Sequence, residues 1–511
     1  MKYNGILKEE NKVLNHEGAL AFRMGPEMEL YTAAATSMLS DKFYESSTDQ
    51  VERIASLVAK ADPEFVAKLA VYARTKMNLR SIPLLLLTEL AKVHSGDNLV
   101  SRAVDRTVLR ADEITELLMC YQWRNPSKGN KKLGKLSRQI QNGLKNAFNR
   151  FDEYQFAKYD RDSQVKMRDA LFLVHPRPKD KNQQEIFDKI VSGTLKTPYT
   201  WETELSSLGQ KKFDSEEKKK EAVGEQWEEL LSSGKMGYMA LLRNLRNILN
   251  AKVKAEHIDR LCERIADPSE VKNSKQLPFR FLSAYKEILR VDSIHSAKVL
   301  SALEKAVKAS VENLEGFSPD TSVLVAADVS GSMMCPVSKH SSVQNFDIAI
   351  LLSMLLRSKC SSVLSGMFGD TWKVINLPTD TILANTMEMY RREGEVGYST
   401  NGYKVIDWLI IEKLKMDKVM IFTDCQMWDS EHTRGWYASE RSIKDSWHKY
   451  KKMFPEAKLY LFDLQGYGSS PIDPVEKDVF LIGGWSEKIF SVMESVDKGE
   501  SVLSEIEKTV L

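Results

Sequence analysis

Asp328, Ser330 and Ser332 stand at alternate positions directly after an apolar run, residues 323–327, with Gly331 between the two hydroxyls. A run that is apolar at every position reads as a strand buried on both faces. Open α/β sheets bind ligands at the carboxyl ends of their strands. A carboxylate and two hydroxyls placed there converge hard oxygen donors on one point, and such donors suit a divalent cation such as Mg²⁺. Taken alone, the same residues describe a Ser/Gly-rich turn after a strand. Two further positions add to the cation reading. Thr400 lies in the loop 397–402 just before a helical run, and Asp424 ends the apolar strand 419–423.

A second kind of chemistry is carried by cations. Residues 124–150 contain eight basic side chains (124, 128, 131, 132, 135, 138, 145 and 150) and no acidic one. The whole chain nearly balances, with Lys+Arg 73 against Asp+Glu 71 and a formal charge of +2. A solvated helix face intersperses signs, so this segregation points to a polyanion-binding face. Lys158, Arg161, Lys166, Arg168, Arg177 and Lys179 surround His175, which precedes Pro176 where a helix must end. In residues 237–250, Leu241, Leu242, Leu245, Ile248 and Leu249 form an apolar helical face, leaving Arg243, Asn244, Arg246 and Asn247 on the other. Lys132, Lys135, Arg138, Lys158, Arg161, His175, Arg243 and Arg246 are the candidate phosphate contacts.

The elements that must position these groups fall into two kinds. From Thr48 to Tyr121 the apolar residues recur at helical spacing, in helices of about three turns joined by short breaks. Such helices stack into a solenoid of pairs. Asp62-Pro63 predicts a helix start, with a cap and a first-turn proline. Residues 1–47 read as an irregular or extended lead-in. After residue 320 the pattern alternates strand and helix: strands at 323–327, 362–368, 372–377, 418–423, 458–464 and 478–482, helices at 347–357 and 402–414, and a closing helix marked by Leu503, Ile506 and Val510. That alternation predicts a doubly wound sheet. The expected division is a helical module over 1–318 and an α/β domain over 319–511.

At this point the motifs resemble known families. Asp-x-Ser-x-Ser, then a loop Thr, then a strand-terminal Asp is similar to the ordered ligand set of a von Willebrand factor A domain. Asn78-Leu-Arg-Ser-Ile-Pro83, Met239-Ala-Leu-Leu-Arg-Asn-Leu245 and the stretch 158–175 resemble the TROVE module of the Ro RNA-binding proteins. The pairing of the two covers nearly the whole chain in the right order. The resemblance implies an α-helical, HEAT-like repeat ring bridged by the A domain. It implies a metal-ion-dependent adhesion site with Ser330, Ser332 and Thr400 inner, Asp328 and Asp424 outer or switching, and a partner's carboxylate completing the shell. It also implies RNA binding: small non-coding Y-like RNAs on an outer basic face, where Lys158 and His175 match, and single-stranded 3′ ends of misfolded RNAs in the hole.

The expected role is RNA quality control by a monomer, with an exoribonuclease or another protein as partner through the metal site. A metal-dependent protein-interaction scaffold with a peptide-binding solenoid is the alternative. No Walker lysine motif, no G-x-S-x-G turn and no His or Glu at recognisable spacing accompanies the metal set, so a non-enzymatic protein is expected. The five cysteines form no C-x-x-C pair, the first residues lack a signal-peptide core, and no apolar run is long enough for a bilayer. A cytoplasmic protein without membrane contact is expected.

Overall fold

The computed structural model describes residues 12–37, 39–126, 136–159, 164–276, 278–311, 320–337, 341–360, 362–430, 441–484, 492–493, 495 and 501–511. They form two compact units. One comprises Pro26–Leu39, Ser47–Tyr199 and Ser501–Leu511; the other comprises Met1–Gly25, Ser40–Ser46 and Thr200–Glu500. Compactness therefore divides the chain elsewhere than at 318/319.

The first unit is helical. Asp62 caps the helix Pro63–Thr75, its carboxylate accepting from the Glu64 N–H, with Pro63 in the first turn as expected. Phe65, Val66, Leu69, Val71 and Tyr72 bury that helix against Ser81–Val93 and Leu99–Thr107. The helix Leu99–Thr107 packs in turn on Arg138–Phe148. A Cβ at Gly143 would stand 2.5 Å from Val104 Cβ and 2.7 Å from the Ser101 carbonyl, so only glycine permits that approach. Arg80, in the motif that resembles TROVE, is structural: it pairs with Asp112 and Glu116 and reaches buried Glu113, which also holds Arg74 at 2.8 Å. The closing helix, Val502–Glu507, belongs to this unit, where Val502 and Ile506 are buried and the helix packs on Pro63–Thr75. Val510 lies outside it and is 73% exposed.

The second unit holds the sheets. β1 (Lys12–Leu14), β2 (Leu20–Arg23), β3 (Ser322–Asp328), β4 (Ser362–Phe368), β5 (Trp372–Val374), β6 (Lys418–Thr423), β7 (Lys458–Asp463), β8 (Ser469–Ser470) and β9 (Val479–Gly483) are its strands. Six of them run in the order β5-β4-β3-β6-β7-β9, all parallel except β5. β3 is flanked by β4 on one side and β6 on the other, so the strand order reverses there. This is the topological switch point where such sheets open a crevice. The helices Asn345–Lys359, Leu383–Arg391, Tyr403–Ile411 and Ile443–Met453 accompany the sheet. The lead-in 1–47, expected to be extended or irregular in its middle, holds a hairpin, in which β1 pairs with β2 and β2 with β8 through Phe22↔Ser470, and then the helix Pro26–Thr36, which was not expected.

Helices from Thr200 onward join this unit. Buried Asp347 accepts from Lys286 Nζ at 2.5 Å, linking Pro278–Ile288 to Asn345–Lys359. Glu304, on Ser296–Val311, accepts the N–H groups of Ile382 and Leu383 where Leu383–Arg391 begins. A carboxylate at that position satisfies orphan N–H donors and complements the helix dipole.

Candidate functional site

β3 and β6 pair in register, Ala327 opposite Phe422, which brings Asp328 and Asp424 to the same end of the sheet. Both are fully buried. Asp328 Oδ1 accepts from the Ser330 N–H at 2.8 Å and Oδ2 from the Thr423 hydroxyl at 2.7 Å. The hydroxyls of Ser330 and Ser332 lie 3.2 Å apart. Asp424 Oδ1 accepts from the Gln426 N–H at 3.0 Å, while Oδ2 has no hydrogen bond of ordinary geometry. Burial pushes Asp328 above the ordinary carboxylate range, against the pull of its hydrogen bonds. Burial and then the Asp328 charge do the same to Asp424, with the Ser332 hydroxyl favouring the charged form. Two carboxylates with no cationic partner among the described residues, one with an orphaned oxygen, beside two hydroxyls, fit a small hard cation.

Thr400 stands somewhat apart. Its hydroxyl donates to the Gln426 carbonyl at 3.1 Å and accepts from the Trp428 N–H at 3.2 Å, so it is engaged with the loop that follows Asp424. No hydrogen bond joins it to the other four candidates among the described residues. Asp463, at the end of β7, was not singled out from the sequence. It accepts from the N–H groups of Gln465 and Gly466, and its charge helps raise Asp424. It repeats the pattern of a carboxylate ending an apolar strand, so the signal for it was present.

The candidate cations separate into three groups. Lys132, Lys135 and Arg161 lie outside the described residues, as do Lys128 and Lys131. Arg124 and Arg150 bound the basic run, but both are consumed internally: Arg124 binds Glu52 and Glu89, each at 2.5 Å, and Arg150 binds Asp105 and the Val108 carbonyl. Arg138, Lys158 and His175 are exposed, and none has an ion-pair partner among the described residues.

The structure brings those three onto one block. Gln141 Nε2 donates to the Leu173 carbonyl at 2.9 Å, and Asn149 bonds the Arg177 carbonyl and the Lys179 N–H, fixing the His175 segment beside Arg138–Phe148. Phe148 stacks on Phe156, seating the helix Glu153–Tyr159 that carries Lys158. His175 is the left-handed C-cap of Met167–Val174, with φ 51°. Exposed aromatics accompany the cations: Lys158 lies 5.8 Å from the Tyr154 ring, and Arg168 lies 5.8 Å from Phe172.

Arg243 and Arg246 belong to the other unit. The helix Tyr238–Asn250 buries all five expected apolar residues, but also Asn244, which bonds the Ala240 carbonyl instead of facing outward. Arg243, Arg246, Arg280, Ser283 and Glu287 line a pocket of about 550 Å³. Glu287 pairs with Arg246 at 2.7 Å. Desolvation in the pocket and then the Arg243 charge lower the Arg280 guanidinium from its usual range. Arg243 and Arg280 have no carboxylate partner among the described residues, and guanidiniums so placed can accept an anion. Arg280 carries no sequence signal by itself, since a lone arginine among apolar residues is ordinary.

A helical module followed by an A-type sheet whose switch point carries Asp-x-Ser-x-Ser defines a TROVE and von Willebrand A protein, and the family models agree. The TROVE domain matches residues 28–226 and 194–299, more than half of the chain, and the Ro60 vWA domain matches 322–496. The chain belongs to the Ro ribonucleoprotein family, whose members bind RNA. Its fold is similar to the crystal structure of the Ro (Rsr) protein of Deinococcus radiodurans, with a TM-score of 0.60 and 19% identity over 93% of this chain and 100% of that one. Telomerase protein component 1 of Rattus norvegicus and of Mus musculus are each 24% identical over 353 residues, 52% of this chain. The match spans 13% of the length of those relatives.

Proposed function

We propose that this protein binds small, structured, Y-like non-coding RNAs through Arg138, Lys158 and His175, and single-stranded 3′ ends of misfolded RNAs elsewhere on the chain, as a factor in RNA quality control. The observation that carries the reading is the exposure of Arg138, Lys158 and His175, without an ion-pair partner among the described residues, beside the exposed rings of Tyr154 and Phe172. Lysine and arginine on such a block meet backbone phosphates, and an exposed ring such as Phe172 offers a stacking surface to an unpaired base. Lys132 and Lys135 precede Arg138 in sequence and Arg161 falls between Lys158 and His175, and all three are assigned to RNA in this reading. Arg243, Arg246 and Arg280 supply a second phosphate contact.

Asp328, Ser330, Ser332 and Asp424 would hold a divalent cation, Mg²⁺ in our reading, with Thr400 as the outlying fifth donor. When bound, the cation offers a Lewis-acidic position to a carboxylate, which is how a protein partner such as an exoribonuclease would dock. We read the protein as a binder rather than an enzyme. The thiols nearest the metal centre, Cys335 and Cys425, are held above their usual range by burial first, so neither is an activated nucleophile. All five cysteines are free, which suits a reducing compartment, the cytoplasm.

RNA affinity measured against salt tests the reading. Each phosphate neutralised contributes about −0.7 to −0.9 to the log–log slope. The Lys158→Glu, His175→Ala double variant should bind structured RNA more weakly and with a shallower slope. Unchanged affinity and slope would refute the assignment of this face, and a parent that ignores salt would favour the protein-scaffold alternative.

A further inference from the structure

A cavity of about 310 Å³ opens between the hairpin β1–β2, the loop that carries Thr400, the loop after β6 and the start of the helix Ile443–Met453. All four belong to one compact unit. The volume lies at the small end of the range, about 300–1,000 Å³, that holds small ligands. The inner wall is apolar, because Ala19, Phe22, Tyr403, Met427 and Ile443 are all buried. Half-buried Trp428 adds an indole to it. Hydrogen bonds hold this wall in place. The Tyr403 hydroxyl donates to Asp429 at 3.0 Å, the Trp428 N–H to the Thr400 hydroxyl at 3.2 Å, and Asn15 Nδ2 to the Met427 carbonyl at 2.8 Å.

Cations stand at the rim. Lys12 on β1 and Arg441, just before the helix, are both exposed, and neither has an ion-pair partner among the described residues. The Arg441 backbone is fixed, since its N–H donates at 3.0 Å to Asp429, the same carboxylate that Tyr403 binds. Lys444 is already engaged, lying 4.4 Å from the Phe22 ring and pairing with Glu476 at 3.1 Å. Asp445 is the one acid among the lining residues, and the Ser442 hydroxyl donates to it at 2.7 Å. The first turn of Ile443–Met453 presents its positive dipole end on the same side. A fitting ligand is therefore flat and apolar at its inner end and anionic at its outer end. An unmodified acidic side chain lacks the flat apolar part, and an aromatic one lacks the charge. A nucleotide has both: a base that stacks on aromatic surfaces and a phosphate that suits guanidinium and ammonium groups.

We propose that this cavity binds a single nucleotide, its base against Trp428 and the apolar inner wall and its phosphate between Arg441 and Lys12. The ligand is a free nucleoside monophosphate or an unpaired residue of an RNA strand, which share that chemistry. The proposal goes beyond the outer-face assignment of Arg138, Lys158 and His175, and takes from the family only that it binds RNA. It does not depend on a cation at the Asp328 centre.

Isothermal titration calorimetry of the full chain with AMP, run in EDTA so that no divalent cation enters, is the test. AMP should bind, and adenosine and ribose 5-phosphate should each bind more weakly, because each lacks one half of the contacts. Arg441→Gln should raise the AMP dissociation constant about tenfold, the share of one charge-assisted hydrogen bond. Lys12→Gln should raise it as well. Both variants should keep the parental melting temperature, since both side chains are exposed and form no ion pair among the described residues. A parent that does not bind AMP, or two variants that bind it as the parent does, would overturn the proposal. Equal affinity for adenosine and AMP would do the same. A single-stranded RNA oligonucleotide that displaces AMP identifies an RNA residue as the ligand, and one that leaves AMP in place identifies the free nucleotide. Arg441-dependent binding of a polyglutamate peptide without binding of AMP would give the cavity to a protein partner and end the nucleotide reading. The outer face is tested on structured RNA with Lys158→Glu, His175→Ala, so the two assignments fail separately.

Discussion

Replacing Arg124 by Gln separates a structural cation from a nucleic-acid contact. Arg124 stands at the head of the basic run, yet its guanidinium bridges Glu89, which is 6% exposed, and Glu52, which is 61% exposed. A charge-assisted hydrogen bond to a buried group contributes about 1.5–3 kcal/mol, whereas an exposed pair contributes about 0–1 kcal/mol. Lys92 remains 2.8 Å from Glu89 in the variant and offsets part of the loss. The net cost is therefore about 2 kcal/mol, dominated by Glu89. For a compact unit of this size that lowers the melting temperature by roughly 4–8 °C. Calorimetry gives the melting temperature, and fluorescence anisotropy with a structured RNA gives affinity and salt slope. The expected result is a destabilised protein with parental affinity and parental slope when both are folded. Arg138→Gln should do the reverse: an unchanged melt and a slope reduced by about one phosphate's share. A folded Arg124→Gln protein with a shallower slope would refute the claim that intramolecular carboxylates have withdrawn this arginine from the RNA surface.

Arg280→Gln should weaken binding of short single-stranded RNA without altering the melt; parental affinity in a filter-binding assay would remove the second pocket from the RNA surface. Lys286→Met leaves the fully buried Asp347 without its cation and should cost about 3–5 kcal/mol in a chemical-denaturation experiment. Asp328 and Asp424 have raised folded-state values, so the native state keeps protons that the unfolded chain has released. The sign follows: their contribution to the stability of the metal-free protein is present below the ordinary carboxylate value near about pH 4 and is lost as pH rises toward neutrality. Mg²⁺ binding must displace those protons, so the Mg²⁺-dependent rise in melting temperature should grow from pH 5 to pH 8. A rise independent of pH would place the cation elsewhere.

Much of the sheet was legible because parallel strands buried on both faces must be apolar throughout. β3, β4, β6 and β7 agree with their sequence pattern to within a residue, and their ends place Asp328 and Asp424 together. The strand expected to run from 372 to 377 stops at Val374, and the helices Leu383–Arg391 and Ile443–Met453 were not read at all. β1, β2 and β8 are too short to show a period, and the pairing of Phe22 with Ser470 joins residues that no local window contains. The same distance hid the bonds of Asn15 and His16 to the loop after β6. The basic run misled at its ends for a related reason. Charge counted along the chain sees no acid between 124 and 150, but Glu52, Glu89 and Asp105 reach it from neighbouring helices. Asn244 shows the limit of a helical wheel: an amide can lie on the inner side when it bonds a carbonyl of its own preceding turn.

The packing of Val502–Glu507 on Pro63–Thr75 has a consequence for synthesis. Ribosomes deliver the helical unit's first segments early, but Val502 and Ile506 emerge only after β3 to β9 have been made. Until then Pro63–Thr75 lacks a neighbour that covers part of its apolar surface, and a nascent chain stalled within the sheet cannot provide one. The helical unit is completed by a segment made after the α/β sheet, so its final stability certifies that the intervening α/β sequence has been translated.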